Sequence, residues 1–191
     1  MKLLEERILK DGKVFPNDVL KIDSFLNHQI DVKLMEEIGK EFHRLFINSK
    51  PDKVLTIEAS GISIAVEVAK CFGYIPVIFA KKTEALNMDG EKYFAKEKSY
   101  TRDAYYNVQV AKEFIDEGSN ILIIDDFLAR GEAMNSLIEI CRQAKANVVG
   151  CGAVVSKTYQ EGEKRIKDLG VHLESLARVK SMKDGIVEFE K

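Results

Sequence analysis

The run Ile121-Leu-Ile-Ile-Asp-Asp-Phe-Leu-Ala-Arg-Gly-Glu-Ala133 joins an apolar stretch, two adjacent carboxylates and a glycine loop. Its four leading residues, mostly β-branched, predict a fully buried strand. Asp125 and Asp126 stand where that strand is expected to end, and a short loop with Gly131 leads into a helical pattern from Ala133 to Lys145. Ligands of open α/β sheets bind at the carboxyl ends of strands. Loop amides that run into a helix N-terminus suit a phosphate. Paired carboxylates suit sugar hydroxyls, or a metal held beside the phosphate. The segment therefore offers a site for a phosphorylated sugar. The competing reading is a pair of surface acids that cap the next helix, and Asp-Asp alone does not decide between them. Placed at an exposed strand end, both carboxylates are expected to matter little to stability.

The elements that must position this segment follow from apolar periodicity. A short helix is predicted over Lys2–Lys10, stopped by Asp11-Gly12, and an extended piece over Val19–Ile22. Leu34, Ile38, Phe42, Leu45 and Phe46 keep helical spacing within Asp31–Asn48, with Asp31 as N-cap. Strands are predicted at Val54–Ile57, Pro76–Ala80, Asn120–Ile124 and Asn147–Ser156, with helices from Gly61 to Cys71 and from Gly162 to Leu169. Gly73 is expected to close the first of these helices. Tyr100–Val110 alternates in part, as in a hairpin, and Val171–Val179 and Ile186–Phe189 read as late extended segments. Lys81 to about Phe94 is polar and aperiodic and is expected to be a long loop, a candidate lid. Strand alternating with helix implies a parallel sheet with right-handed crossovers.

The 191 residues fit one domain spanning 1–191, with 46% hydrophobic and 31% charged residues and a net charge of -2. This balance gives no basic surface for nucleic acid or an anionic membrane. The charged N-terminus is expected to be an amphipathic helix and not a signal peptide, and no apolar run approaches the ~20 residues that span a bilayer. A cytoplasmic protein is expected. Cys71, Cys141 and Cys151 lack metal-ligand spacing and read as buried, reduced thiols. His28, His43 and His172 read as structural, and no Ser-His-Asp arrangement points to hydrolysis.

The Ile121–Ala133 run resembles the phosphoribosyl-pyrophosphate (PRPP) motif of type I phosphoribosyltransferases. Val19-Leu-Lys-Ile-Asp-Ser-Phe-Leu-Asn-His-Gln-Ile30 is similar to the purine-binding segment of the xanthine-using branch of that family. Thr56-Ile-Glu-Ala-Ser-Gly-Ile62, Phe79-Ala-Lys-Lys82 and Glu174-Ser-Leu-Ala-Arg-Val179 resemble other segments of the same branch, so the likeness runs over nearly the whole chain. It implies an α/β type I phosphoribosyltransferase fold: a central parallel sheet flanked by helices, with a small hood from the chain termini. It also implies transfer of the phosphoribosyl group of PRPP to xanthine, with Mg²⁺ bound with PRPP, in a homodimer. The alternatives are a guanine/hypoxanthine phosphoribosyltransferase and, further off, a PRPP-sensing purine regulator, for whose DNA-binding domain the chain has no room.

The resemblance assigns residues as well. Asp125 and Asp126 meet the ribose hydroxyls, and Ala129, Arg130, Gly131, Glu132 and Ala133 form the 5-phosphate loop. Arg130 and Glu132 replace the family's usual Asn and Gln. A carboxylate beside a phosphate must turn away or pair, and Arg130 in the same turn is the expected partner. Ser60 and Gly61 belong to a pyrophosphate loop, with Ser60 as a helix N-cap the alternative. Lys81 and Lys82 add charge to the pyrophosphate, although exposed lysines are ordinarily just solvated. Leu20, Asn27 and Lys157 contact the base: an apolar wall, an amide for the 2-oxo group and an ammonium for the 6-oxo group. An ammonium only donates, so oxopurines are favoured over adenine. No metal-ligating residue is assigned.

Overall fold

The structure, a computed structural model, describes residues 1–84, 91–99 and 104–190. Its order is α1 (Lys2–Asp11), β1 (Lys13–Phe15), β2 (Val19–Lys21), a π-helical turn (Asp23–Asn27), α2 (Val32–Phe46), β3 (Lys53–Ile57), α3 (Gly61–Cys71), β4 (Val77–Glu84), β5 (Lys92–Ser99), β6 (Ala104–Ala111), β7 (Asn120–Leu128), α4 (Glu132–Gln143), β8 (Asn147–Lys157), α5 (Gly162–Asp168), β9 (Leu173–Ser181) and β10 (Glu188–Phe189). The main sheet runs β10-β9-β8-β7-β3-β4-β6-β5. Its five central strands, β9 to β4, are parallel, and the antiparallel β10 and β6–β5 lie at the two edges.

Alternation along β7 feeds two cores. Leu122 and Ile124 join the layer formed with Leu4, Ile38, Phe42 and Ile64, whereas Ile121 and Ile123 join Leu137, Ile140 and Ile166 on the opposite face. A side-chain period of two on a strand covered on both faces produces this division. Asp31 caps α2 as its sequence predicts, accepting from the Leu34 N–H at 3.1 Å, and Gly73 closes α3 with φ +85°. The hood is the antiparallel β1–β2 hairpin, whose turn places Asn17 and Asp18 at φ +63° and +60°, followed by the π-helical turn. Asn and Asp tolerate that left-handed backbone better than other residues. The Lys183–Gly185 turn packs against β1, so both chain ends contribute.

Several expectations are corrected. The predicted loop from Lys81 to Phe94 is not one: β4 continues to Glu84 and β5 starts at Lys92, while 85–90 lie outside the described residues. Pairing of Lys81–Glu84 with β6 supplies the order that the side-chain pattern does not announce. β7 does not end at Ile124 but runs to Leu128, so both aspartates lie inside a strand. Asp125 is buried, with 3% of its surface exposed. Cys71 is half-buried, unlike Cys141 and Cys151. His43 packs edge-on to Phe72 at 4.7 Å and His172 lies against Phe46 at 5.1 Å. Among the described residues no helix is long and apolar enough to cross a membrane.

Candidate active site

The cleft exists because neighbouring strands stop pairing at different heights. β3 pairs with β7 only up to Leu55–Ile123, whereas β7 pairs with β8 as far as Leu128–Ser156. Above Ile123 the side of β7 that faced β3 must satisfy its amides otherwise, since unpaired backbone donors are costly. The two carboxylates also bond backbone amides of their own strand. The Asp126 N–H donates to Asp125 Oδ1 at 2.9 Å, and the Phe127 N–H donates to Asp126 Oδ1 at 2.8 Å. On the far wall β4 likewise outruns β3, and the Lys82 N–H donates to Glu58 Oε1 at 2.8 Å. The result is a cavity of about 280 Å³ walled by Ile57–Gly61, Lys82, Asp125–Phe127 and Ala133.

Charge is distributed unevenly in this cleft. Burial drives the Asp125 carboxyl well above the usual carboxylate range, and the neighbouring Asp126 charge pushes the same way. The Glu58–Ala59 peptide is cis, and Ser60 makes no side-chain cap to α3, contrary to the capping alternative. Gly61 is fixed by sterics: a Cβ there would lie 2.0 Å from Oγ1 of the buried Thr56. Gly131 adopts φ +79°, the left-handed turn that admits glycine, and α4 begins directly after it.

The structure brings Asp125, Asp126, Ser60, Gly61, Lys82 and Ala133 to one cavity. It sends Lys81 elsewhere. Successive residues of a strand face opposite ways, and Lys81 lines a separate groove of about 650 Å³ with Phe79 and Gln109. Glu132 pairs not with Arg130 but with Arg165 of α5, whose Nη1 donates to Glu132 Oε1 at 2.6 Å. The expected partner lost because α5 is docked on the loop. The Gly162 N–H donates to the Ala129 carbonyl at 3.0 Å, and a Cβ on Gly162 would lie 2.4 Å from that oxygen.

The three base-contact candidates lie around the hood. Leu20 is 6% exposed and belongs to the core. Asn27 Nδ2 reaches from the π-helical turn to Asp126 Oδ2 at 3.0 Å. Lys157, at the end of β8, donates to the Asp18 carbonyl in the hood turn, and its desolvation lowers its pKa. Hood and strand ends thus meet through the same two polar side chains.

Sequence reasoning missed Glu163. It is buried, accepts from Ser156 Oγ at 2.7 Å and takes both Arg178 Nε (3.1 Å) and Nη2 (2.9 Å). Lys167 Nζ adds a contact at 3.1 Å. Burial alone would raise its pKa, but these donors hold it down at about 2. The local cue is the Glu163–Lys167 i,i+4 pair on the predicted helix, whereas Ser156 and Arg178 come from neighbouring strands.

A parallel α/β sheet thus gathers paired carboxylates, a left-handed glycine turn and a lysine at its strand ends. Residues 21–189 match the phosphoribosyl transferase domain model. The chain belongs to that family. Xanthine phosphoribosyltransferase of Clostridium novyi is 54% identical over 190 residues, covering 100% of both chains. That of Lactobacillus acidophilus is 52% identical, over 100% of this chain and 98% of its own. Among solved structures, adenine phosphoribosyltransferase from Rhodothermus marinus aligns with a TM-score of 0.74 at 20% identity, covering 94% of this chain and 100% of that one. That likeness shows the fold alone.

Proposed function

We propose that the chain transfers the 5-phosphoribosyl group of PRPP to xanthine, giving xanthosine 5-monophosphate and pyrophosphate, as a purine-salvage enzyme of the cytoplasm. The observation that carries the reading is the convergence of Asp125, Asp126, the Glu58–Gly61 loop and Lys82 on one cavity beside the Gly131 turn. Relatives of about 50% identity and equal length bear the name xanthine phosphoribosyltransferase, which favours xanthine among the purines. The family resemblance also favours a homodimer.

In this reading the amides of Ala129–Ala133 and the N-terminus of α4 take the 5-phosphate. Asp125 and Asp126 accept hydrogen bonds from the ribose 2- and 3-hydroxyls. Ser60, Gly61 and Lys82 hold the pyrophosphate, and Lys81, on the opposite strand face, is not among them. Mg²⁺ arrives as part of the substrate, carried on the pyrophosphate and keeping waters, as is usual for that ion. Displacement at the anomeric carbon breaks the bond to pyrophosphate and forms the bond to the purine nitrogen. Its transition state carries oxocarbenium character, as in related glycosyl chemistry. The protein acts by positioning and by stabilising charge: carboxylates face the cationic ribose while Lys82 faces the leaving phosphates.

Lys157 and Asn27 read the base. Asn27 donates to the Asp126 carboxylate and Lys157 to the Asp18 carbonyl, so xanthine oxygens would compete with these acceptors. Adenine offers an amino group where Lys157 needs an acceptor, and a missed hydrogen bond at a buried site costs roughly 1–3 kcal/mol. Incubation with PRPP, Mg²⁺ and each purine, followed by identification of the nucleotide, should give xanthosine monophosphate fastest, the guanine product more slowly and no adenine product. Adenine turnover at the xanthine rate would overturn the assignment.

A further inference from the structure

Arg165 lies outside every sequence motif that pointed to the site. It sits on α5, and its guanidinium holds Glu132 at 2.6 Å. Glu132 is the first residue of α4, directly after the left-handed Gly131. A carboxylate at that point is drawn to the same free amides and positive helix end that would receive a phosphate. It is therefore an internal competitor for the phosphate unless a cation outside the loop fixes it. α5 can supply that cation in a fixed place. Its first residue, Gly162, is hydrogen-bonded to Ala129 and packed against Gly131, and Ile166 is fully buried in the core.

We propose that Arg165 is a positioning residue for PRPP: it holds the Glu132 carboxylate off the 5-phosphate loop, leaving the loop amides to the substrate. This rests on the assignment of that loop to PRPP. A purely structural ion pair and a device that restrains a competing anion make different predictions once the anion is deleted.

Arg165→Ala should raise KM for PRPP on the order of tenfold, about 1.4 kcal/mol, with kcat and KM for xanthine within about twofold of wild type. Adding Glu132→Gln to Arg165→Ala should return KM for PRPP to the wild-type value, because no carboxylate remains to be restrained. Arg165→Lys, which keeps the charge, should stay near wild type. Should Arg165→Ala not fold, Arg165→Gln, alone and with Glu132→Gln, makes the same comparison. Unchanged KM in the single variant, or no recovery in the double variant, would overturn the proposal. Calorimetric titration with ribose 5-phosphate reads the same affinities without turnover. A wild type that binds it but transfers nothing from PRPP removes the assigned reaction and leaves this proposal standing; a wild type that does not bind it removes both.

Discussion

Glu163→Gln tests how much of the fold around the cleft depends on one buried carboxylate. Its pKa of about 2 against the ordinary 4.5 corresponds to about 3 kcal/mol, at 1.36 kcal/mol for each factor of ten in proton affinity. The Glu163 side chain is 10% exposed, but Arg178 and Lys167 are 41% and 54% exposed, so solvent screening makes this figure an upper bound. The glutamine keeps the shape and an acceptor for Ser156 Oγ but loses the charge that Arg178 and Lys167 address. Arg178 retains Glu190 at 2.8 Å, which softens the loss. The folded-state pKa lies below the unfolded one, so the stabilisation is complete above about pH 5 and disappears as pH falls through about 2. Urea unfolding at pH 7, 5, 4 and 3 should show the variant less stable by up to about 3 kcal/mol at neutral pH. For a chain of this size that is a fall in Tm of roughly 6–12 °C. The gap should narrow steadily below pH 5. A gap that is absent, or the same at pH 7 and pH 3, would refute the argument that charge, and not packing, is what Glu163 supplies.

Other outcomes follow from the cleft. Asp125→Asn should lower kcat/KM for PRPP on the order of a hundredfold yet raise Tm at neutral pH, because it removes a buried charge beside Asp126 while keeping an acceptor for the Asp126 N–H. The folded pKa here is raised, so the gain should shrink toward acidic pH; a fall in Tm would show the carboxylate to be structural. Gly162→Ala should raise KM for PRPP roughly tenfold or more, since its Cβ would meet the Ala129 carbonyl at 2.4 Å and shift the phosphate loop; unchanged kinetics would show that α5 does not set the loop.

The parts of the fold that were legible in the sequence are those governed by local periodicity. The buried faces of α2 and β7 and the Asp31 cap depend on residues three or four apart, or alternating, and they appear as expected. What was hidden depends on pairing between distant segments. Nothing within Lys81–Glu84 announces a strand, because its order comes from β6 more than twenty residues on. The same pairing decides that Lys81 and Lys82, which read as one cationic pair, face different cavities. Arg130 was the natural partner for Glu132 by proximity in the chain, but Arg165 is presented by a helix that packs on the loop.

The two buried carboxylates make the general point. In sequence, Asp125 and Glu163 are each an acid near a turn. In the fold both leave solvent, and their partners then drive them in opposite directions. Glu163 meets a guanidinium, an ammonium and a hydroxyl and is held as an anion, so its charge is spent within the protein. Asp125 receives one backbone amide, faces a second carboxylate and is pushed toward its neutral form. The Lys82 charge across the cleft opposes this only in part, and a buried acid with so little compensation is unstable as an anion until more donors and positive charge are supplied. Under the proposed function, ribose hydroxyls and the Mg²⁺ carried on pyrophosphate would supply both. On that reading Asp125 is costly to the fold for the same physical reason that suits it to the substrate, and stability and activity should move in opposite directions there.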